Sequence, residues 1–372
     1  MRILRIAQKT YPEVVGGGTY HVHALSRDQA TLGHDVTVLT ISADDQRPRR
    51  EERSGYTVIR RPATAEVLGN SLSLGVTRFL QQADDYDVIH AHSHLYFSTN
   101  LAALKRRLGS TPLAITNHGL YSQSAPEWVF RWYLRTVGRV TFDSADTVFC
   151  YTETDRSRLR EFGVRADIHI VPNGIDQRRF SPDGSSSGLL GAGDPTVLFV
   201  GRLVEGKRPE DALAAIKRVR RSYPTARLVF VGDGPLRGEL QQRAAEQNLD
   251  AAVEFLGEVP HEEMPGLYRS ADLFVLPSRA EGLPRTVLEA LSTATPVVAS
   301  DLPQLRPVVD GAGITVPVEN VEGFAAALSD LAGDPERRAV MGQQGRERIE
   351  TDYSWEETVR MTTDRLESLC QE

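Results

Sequence analysis

Two glutamates stand eight positions apart in Pro277-Ser278-Arg279-Ala280-Glu281-Gly282-Leu283-Pro284-Arg285-Thr286-Val287-Leu288-Glu289. An ionised carboxylate offers only acceptors, so such a pair suits the hydroxyls of a sugar. Pro284 fits the first turn of a helix. Glu281 then sits just before that helix and Glu289 roughly a turn and a half inside it. The plainer reading makes Glu281 a helix cap and Glu289 part of a solvated face. A second charged group is Gly201-Arg202-Leu203-Val204-Glu205-Gly206-Lys207. Arg202 and Lys207 follow a strand pattern and precede a helix pattern. Cations beside the amides of a helix start form a clamp for a diphosphate; two surface cations near Glu205 would give the same spacing.

Glycines and histidines add two more groups. Gly16-Gly17-Gly18 precede a helix pattern, and backbone without Cβ atoms can approach an anion closely. Their consecutive spacing is not the dinucleotide fingerprint, and a flexible loop is the alternative. His90, His92 and His94 alternate at a strand end, as a metal trio could, but no carboxylate partner accompanies them and no metal is expected. His118, in Thr116-Asn117-His118-Gly119, lies at a strand exit. A neutral imidazole there could bind a hydroxyl or steady a developing charge; a backbone-bonded loop histidine is the alternative. Val231-Gly232-Asp233-Gly234-Pro235 and Val171-Pro172-Asn173-Gly174-Ile175-Asp176 read equally as turn chemistry.

The elements that must position these residues alternate strand, loop and helix. Strand patterns fall at 2–8, 35–41, 56–60, 87–91, 113–117, 146–151 and 167–171, then at 196–201, 227–232, 253–257, 272–277, 296–300 and 313–316. Helix patterns include 19–32, 208–222, 235–248, 261–270, 284–293 and 321–332. This alternation predicts an α/β protein with mostly parallel sheets covered on both faces. Residues 181–195 interrupt it with small, polar, Gly-rich composition, a linker signature. Two doubly wound, Rossmann-like domains facing a cleft are therefore expected, an N-terminal one over 1–180 and a C-terminal one over 196–353. A terminal helix at 354–370 could pack on either.

The composition agrees with two domains, since 372 residues exceed the ~100–200 of one. Lys+Arg number 43 and Asp+Glu 50, a net −7 that argues against nucleic acid as partner. Residues 1–180 carry 23 cations and 19 anions, +4; residues 181–372 carry 20 and 31, −11. Two surfaces with different partners follow. Cys150 and Cys370 are too few for a disulfide framework or a cysteine zinc site. No run reaches the ~18 apolar residues of a membrane span, and Met1 leads straight into a strand pattern without a signal peptide, so a cytoplasmic protein is expected. Residues 127–142 interleave Trp128, Phe130, Trp132 and Tyr133 with Arg131, Arg135 and Arg139. We read a covering helix with its arginines solvated; peripheral contact with an anionic membrane at the inner face is the alternative.

The order of these motifs resembles the family-4 retaining glycosyltransferases of GT-B fold over nearly the whole chain. Gly16-Gly17-Gly18, Asp87-Val88-Ile89-His90-Ala91-His92, Asn117-His118-Gly119, the 171–176 segment entering the hinge, Gly201-Arg202-Leu203 with Lys207, Gly232-Asp233-Gly234-Pro235, Glu281 through Glu289 and Pro296-Val297-Val298-Ala299-Ser300 carry it. The resemblance implies a nucleotide-diphosphate sugar as substrate, no cofactor, and a carbohydrate, glycolipid or small-polyol acceptor. It implies that Arg202 and Lys207 hold the diphosphate, Glu289 the ribose, and Glu281 and His118 the transferred sugar. Gly17, Gly18 and Asn173 complete the donor-contacting set. Three departures stand out: Ala294 and Arg208 where glycine is usual, and 301–306, which lacks a common glycine pair and acid. A nucleotide-sugar epimerase of the same fold and a non-catalytic nucleotide-sugar-binding partner remain as rival readings.

Overall fold

The computed structural model describes residues 1–42, 44, 46–67, 70–120, 127–191 and 193–371. The chain divides into two units, Met1–Pro172 with Glu357–Glu372, and Asn173–Glu356. Strands of the first unit are β1 (Arg2–Ile6), β2 (Asp35–Ser42), β3 (Arg50–Arg53), β4 (Tyr56–Pro62), β5 (Ala65–Val67), β6 (Asn70–Leu72), β7 (Val88–His92), β8 (Leu113–Thr116), β9 (Thr147–Cys150) and β10 (Asp167–Ile170). Eight form one sheet, in the order β10-β9-β8-β7-β1-β2-β4-β3, while β5 and β6 pair separately. All its pairings are parallel except β3 on β4. Near-continuous Val, Ile, Leu and Ala in the central strands suit a sheet buried on both faces. Leu4, Ile6, Ile89 and Ile115 pack on one side; Ile3, Val36, Val88 and Phe149 pack on the other.

The second unit holds β11 (Thr196–Val200), β12 (Arg227–Val231), β13 (Val253–Gly257), β14 (Leu273–Leu276), β15 (Val297–Ser300) and β16 (Gly313–Val316). Their order is β13-β12-β11-β14-β15-β16, all parallel. Phe199, Phe230, Val275, Val298 and Phe324 form its core. In each sheet the chain builds outward in one direction and then returns to the other side of its first strand. Those switch points lie between β1 and β7, and between β11 and β14. Crevices open beyond the carboxyl ends of strands at such points. The strand ends, loops and helix start there carry Gly16–Gly18, His92, Arg202, Lys207 and Glu281.

Three points go beyond the sequence reading: the first and third depart from it, and the second settles where the terminal helix packs, which it left open. The Gly/Ser-rich stretch 181–195 lies within the second unit and does not separate the domains. Arg269 donates to the carbonyls of Ser181 and Ser185 at 3.0 Å each, and the Ser187 amide donates to Gly266 at 3.1 Å. Flexible composition cheapens any path without choosing one. Second, helix Trp355–Gln371 supplies Leu366 and Leu369 to the first unit's core. Gln29 fastens it further, donating to Thr363 Oγ1 at 2.9 Å. Third, an unanticipated helix runs Pro335–Asp352, capped by the Asp334 side chain. Its buried residues are Gly342, Gly345 and Ile349, so an apolar period is missing. A Cβ on Gly342 would meet the Ala294 carbonyl at 2.1 Å. Glycine lets the two backbones touch there.

Candidate functional site

Two loops at the second unit's switch point are joined by backbone: the Arg279 amide donates to the Gly206 carbonyl at 2.9 Å. This junction brings Lys207 Nζ to 2.5 Å from Glu281 Oε1 across 74 residues of sequence. Glu281 is 4% exposed. Gln304, from the segment that lacks the usual acid, donates its side-chain amide to the Glu281 carbonyl. Glu281 is thus a buried partner of Lys207, and its backbone is held from below. Arg202 is exposed on the same loop. The neighbouring Leu203 amide donates to the Asp233 carbonyl at 2.9 Å. Gly232, at φ 121°, comes so near that a Cβ would lie 2.2 Å from the Gly201 carbonyl oxygen. The Gly232-Asp233-Gly234 turn therefore sets how close the β11 and β12 exits lie.

Glu289 is not on a solvated helix face. It is 4% exposed, on the inner side of helix Arg285–Ser292. Tyr268 donates its hydroxyl to Oε2 at 3.0 Å; His261 Nε2 and Arg285 Nε each lie 3.6 Å from Oε1. Burial alone would raise the Glu289 pKa, but His261, Arg285 and Tyr268 together hold it below the usual carboxylate range. Burial, then the Glu289 charge, push Tyr268 well up, so it stays a donor. Arg179 donates to His261 Nδ1 at 2.6 Å, which leaves the imidazole proton on Nε2, facing Glu289. Asn173 is buried: Arg285 donates to its Oδ1 at 3.3 Å, and its amide lies 3.5 Å from the Leu283 carbonyl. Its side chain buttresses the glutamate motif.

In the first unit, Gly17 and Gly18 open helix Gly17–Thr31, which has no side-chain cap and no acid in its first turn. A Cβ on Gly18 would sit 3.7 Å from His118 Nδ1, so these two predicted site residues do meet. Both His118 nitrogens are engaged: the Tyr151 hydroxyl is 2.7 Å from Nδ1, and His92 Nδ1 is 3.0 Å from Nε2. Burial holds the His118 pKa down to about 4, so the ring is neutral at pH 7. To bind a sugar hydroxyl, His118 must exchange one of these partners. His90 is core: Arg5 lies 3.4 Å from its Nδ1, and Thr116 Oγ1 lies 2.7 Å from its Nε2. No group of His, Cys, Asp or Glu suited to a metal occurs among the described residues.

Gln304, Tyr268, His261 and Tyr151 were not anticipated. Gln304 lies in the 301–306 stretch, marked only by what it lacks, the other three lie in plain strand and helix patterns, and all four gain their places by packing. Arg285 lies within the glutamate motif itself, where a buried cation between two acids was a signal available to be read.

Residues 15–179 match the model described as Glycosyltransferase Family 4, and residues 185–348 match Glycosyl transferases group 1. A mannosyltransferase of Mycolicibacterium smegmatis, described as GDP-mannose-dependent alpha-(1-6)-phosphatidylinositol monomannoside mannosyltransferase, is 31% identical over 87% of this chain and 87% of its own. The chain belongs to the family-4 glycosyltransferases. A glycogen synthase of Mycobacterium tuberculosis is 28% identical over 97% of this chain and 93% of its own. Sucrose-phosphate synthase from Thermosynechococcus elongatus superposes with a TM-score of 0.86 at 24% identity, over 99% of this chain and 98% of that one. The two α/β units are those of the GT-B fold.

Two of this glycosyltransferase's departures from its family fall at left-handed backbone: Arg208 at φ 50° and Ala294 at φ 59°. A Cβ costs ~1–2 kcal/mol in that region, which favours glycine. Arg208 gains a compensation, gripping Asp211 through Nε at 2.6 Å and Nη2 at 3.0 Å. Ala294 ends helix Arg285–Ser292 with nothing comparable from its methyl group. Ala294→Gly should raise stability by about 0.5–1 kcal/mol, the relieved strain exceeding the added unfolded-chain entropy. Urea unfolding checks this; a lower midpoint at unchanged slope would contradict it.

Proposed function

We propose that this glycosyltransferase moves a sugar from a nucleotide-diphosphate sugar to a hydroxyl of a glycolipid, growing glycan or small polyol, with retention of anomeric configuration. The observation that carries the proposal is the 2.5 Å Lys207–Glu281 contact at the β11/β14 switch point. Charge builds on the leaving diphosphate as the anomeric bond breaks, and cations already in place lower that barrier. Arg202 and Lys207 fill that role. The sugar becomes oxocarbenium-like. Glu281 accepts hydrogen bonds from its hydroxyls while Lys207 steadies the carboxylate. Glu289 takes the ribose hydroxyls, exchanging the Tyr268 or His261 contact. Within the first unit, His118 and the amides of Gly17 and Gly18 are the groups we assign to sugar and phosphate contact. The incoming hydroxyl attacks from the leaving-group face and the phosphate takes its proton, so no protein nucleophile is required.

Similarity to a GDP-mannose-dependent enzyme acting on a phosphatidylinositol mannoside supports a nucleotide-sugar donor and a glycolipid acceptor. A thermal-shift panel of nucleoside diphosphates and their sugars tests the donor. A bound nucleotide at a hundredfold excess over Kd stabilises by ~2.7 kcal/mol. The best hit is then assayed for transfer to lipid and carbohydrate extracts. No shift with any nucleotide would overturn the proposal.

A cytoplasmic location with peripheral contact on an anionic membrane is part of this reading. In helices Glu127–Tyr133 and Arg139–Phe142 and the π-helical segment Leu134–Gly138 that joins them, Phe130, Leu134 and Phe142 enter the core. Trp128 and Trp132, however, are 74% and 64% exposed, and Arg131 and Arg135 lie exposed along the same stretch. Arg139 instead reaches Asp143 at 3.3 Å. Helix Phe97–Leu108, joined to this segment by Asn100–Thr141 and Arg107–Ser144 bonds of 2.7 Å each, exposes Leu104 and Leu108. Exposed indoles beside guanidinium groups suit the headgroup layer. Among the described residues no helix is long and apolar enough to cross a membrane. Liposome flotation should show binding that needs anionic lipid and falls about tenfold or more in Trp128→Ser/Trp132→Ser. Equal flotation with neutral lipid, or no effect of the double variant, would leave this stretch as ordinary surface.

A further inference from the structure

Arg285 stands between the two glutamates and is 6% exposed. Its Nη1 donates to the Gly174 carbonyl at 3.0 Å and to Asn173 Oδ1 at 3.3 Å. Its guanidinium carbon lies 5.6 Å from the Trp355 ring centre, and its Nε lies 3.6 Å from Glu289 Oε1. Asn173 and Gly174 open the second unit, while Trp355 and Glu356 close it. The chain passes between the units just before Asn173 and just after Glu356. These two crossings are also tied to each other: the Ile175 amide donates to Tyr353 at 2.8 Å, and the Trp355 amide donates to Ile175 at 3.1 Å. One guanidinium therefore touches both crossings and a carboxylate of the candidate site.

That arrangement is costly for mere packing. Desolvating a guanidinium is expensive, and a leucine or methionine would fill a helix anchor at lower cost. A planar fork, however, holds several partners in a fixed mutual geometry. A ligand hydroxyl on Glu289 competes for the Oε1 charge that Arg285 faces. The rigid fork then passes the change to the Gly174 carbonyl and the Trp355 ring.

We propose that Arg285 is a positioning residue that couples ligand contact at Glu289 to both chain crossings. This rests on the donor role proposed for Glu289. Hydrogen exchange of the full chain, with uridine and guanosine diphosphates as probes, tests it. In the wild type, saturating nucleotide should slow exchange at 173–176 and 353–356 by about tenfold. Arg285→Met should keep nucleotide affinity within about threefold but lose that slowing, and its turnover should fall about tenfold or more with donor KM little changed. A residue of purely structural importance would lower melting temperature and affinity together and leave the slowing intact. Slowing in Arg285→Met equal to the wild type overturns the coupling, as does wild-type nucleotide binding without slowing. A wild type that binds neither of these, nor any other nucleoside diphosphate of the thermal-shift panel, overturns the donor reading first. Should Arg285→Met not fold, Trp355→Leu cuts one branch: slowing should vanish at 353–356 and persist at 173–176, and full retention at both overturns the proposal.

Discussion

Glu281→Ala should lower turnover about 10²–10³-fold, some 3–4 kcal/mol of lost transition-state stabilisation. The carboxylate is buried beside Lys207, and Gln304 holds its backbone carbonyl, so its position is set before any ligand arrives. Preorganised groups of this kind contribute most when charge shifts between sugar and phosphate. Removing the carboxylate also frees Lys207, whose side chain is 13% exposed and can turn toward water. The stability loss should therefore be smaller than for a fully buried pair. Glu281→Gln separates the two effects. Its amide oxygen still accepts from Lys207, so stability should hold while transfer remains low. Single-turnover transfer and urea unfolding of both variants give the comparison, and near-normal transfer by Glu281→Ala would sink the assignment.

Acid should unfold the first unit well before it affects the second. Burial holds His118 at about 4 and His94 at about 3. Burial, aided by the Arg5 charge and the neighbouring imidazoles, keeps His90 and His92 well below their ordinary value. Unfolded, all four titrate near the ordinary histidine value of ~6.5. Below that pH the unfolded chain binds protons that the folded chain refuses. Stability is thus complete above ~6.5 and falls as pH drops toward 4, by up to ~1.4 kcal/mol per pH unit for each histidine. The depressed carboxylates act in a lower window. Glu13, which Arg53 and Arg60 hold at about 2 against the opposing effect of burial, loses its contribution only as pH falls from ~4.5 toward 2. Glu289 behaves in the same sense. Hydrogen exchange at pH 7.5, 6 and 5 should show protection fading first within residues 1–172. Unchanged protection across that range would contradict the account.

Much of the fold was legible because parallel strands buried on both faces are written as short β-branched and aliphatic runs. The β11 to β16 strands all fall within their expected ranges, give or take a terminal residue. The first sheet's edge was not legible: β3 is Arg50-Glu51-Glu52-Arg53, a polar tetrapeptide that is a strand only because β4 pairs with it. Helix Pro335–Asp352 leaves no apolar period in the sequence because glycines occupy much of its contact face.

At the site, the residue types and their order along the chain were determined by the sequence itself. Turn chemistry and strand period place Arg202, Lys207, Glu281 and His118 at strand exits wherever those strands lie. Tertiary structure decided the partnerships. It turned Glu289 inward onto Tyr268, closed both nitrogens of His118 with Tyr151 and His92, and set Lys207 against Glu281. It also moved the division of the chain from the Gly-rich stretch to Pro172 and Asn173, where Arg285 gathers both crossings. The reason is one of range. Period, caps and turns depend on neighbours a few residues away, whereas burial and charge pairing depend on which distant surfaces meet, and only the packed chain brings those together.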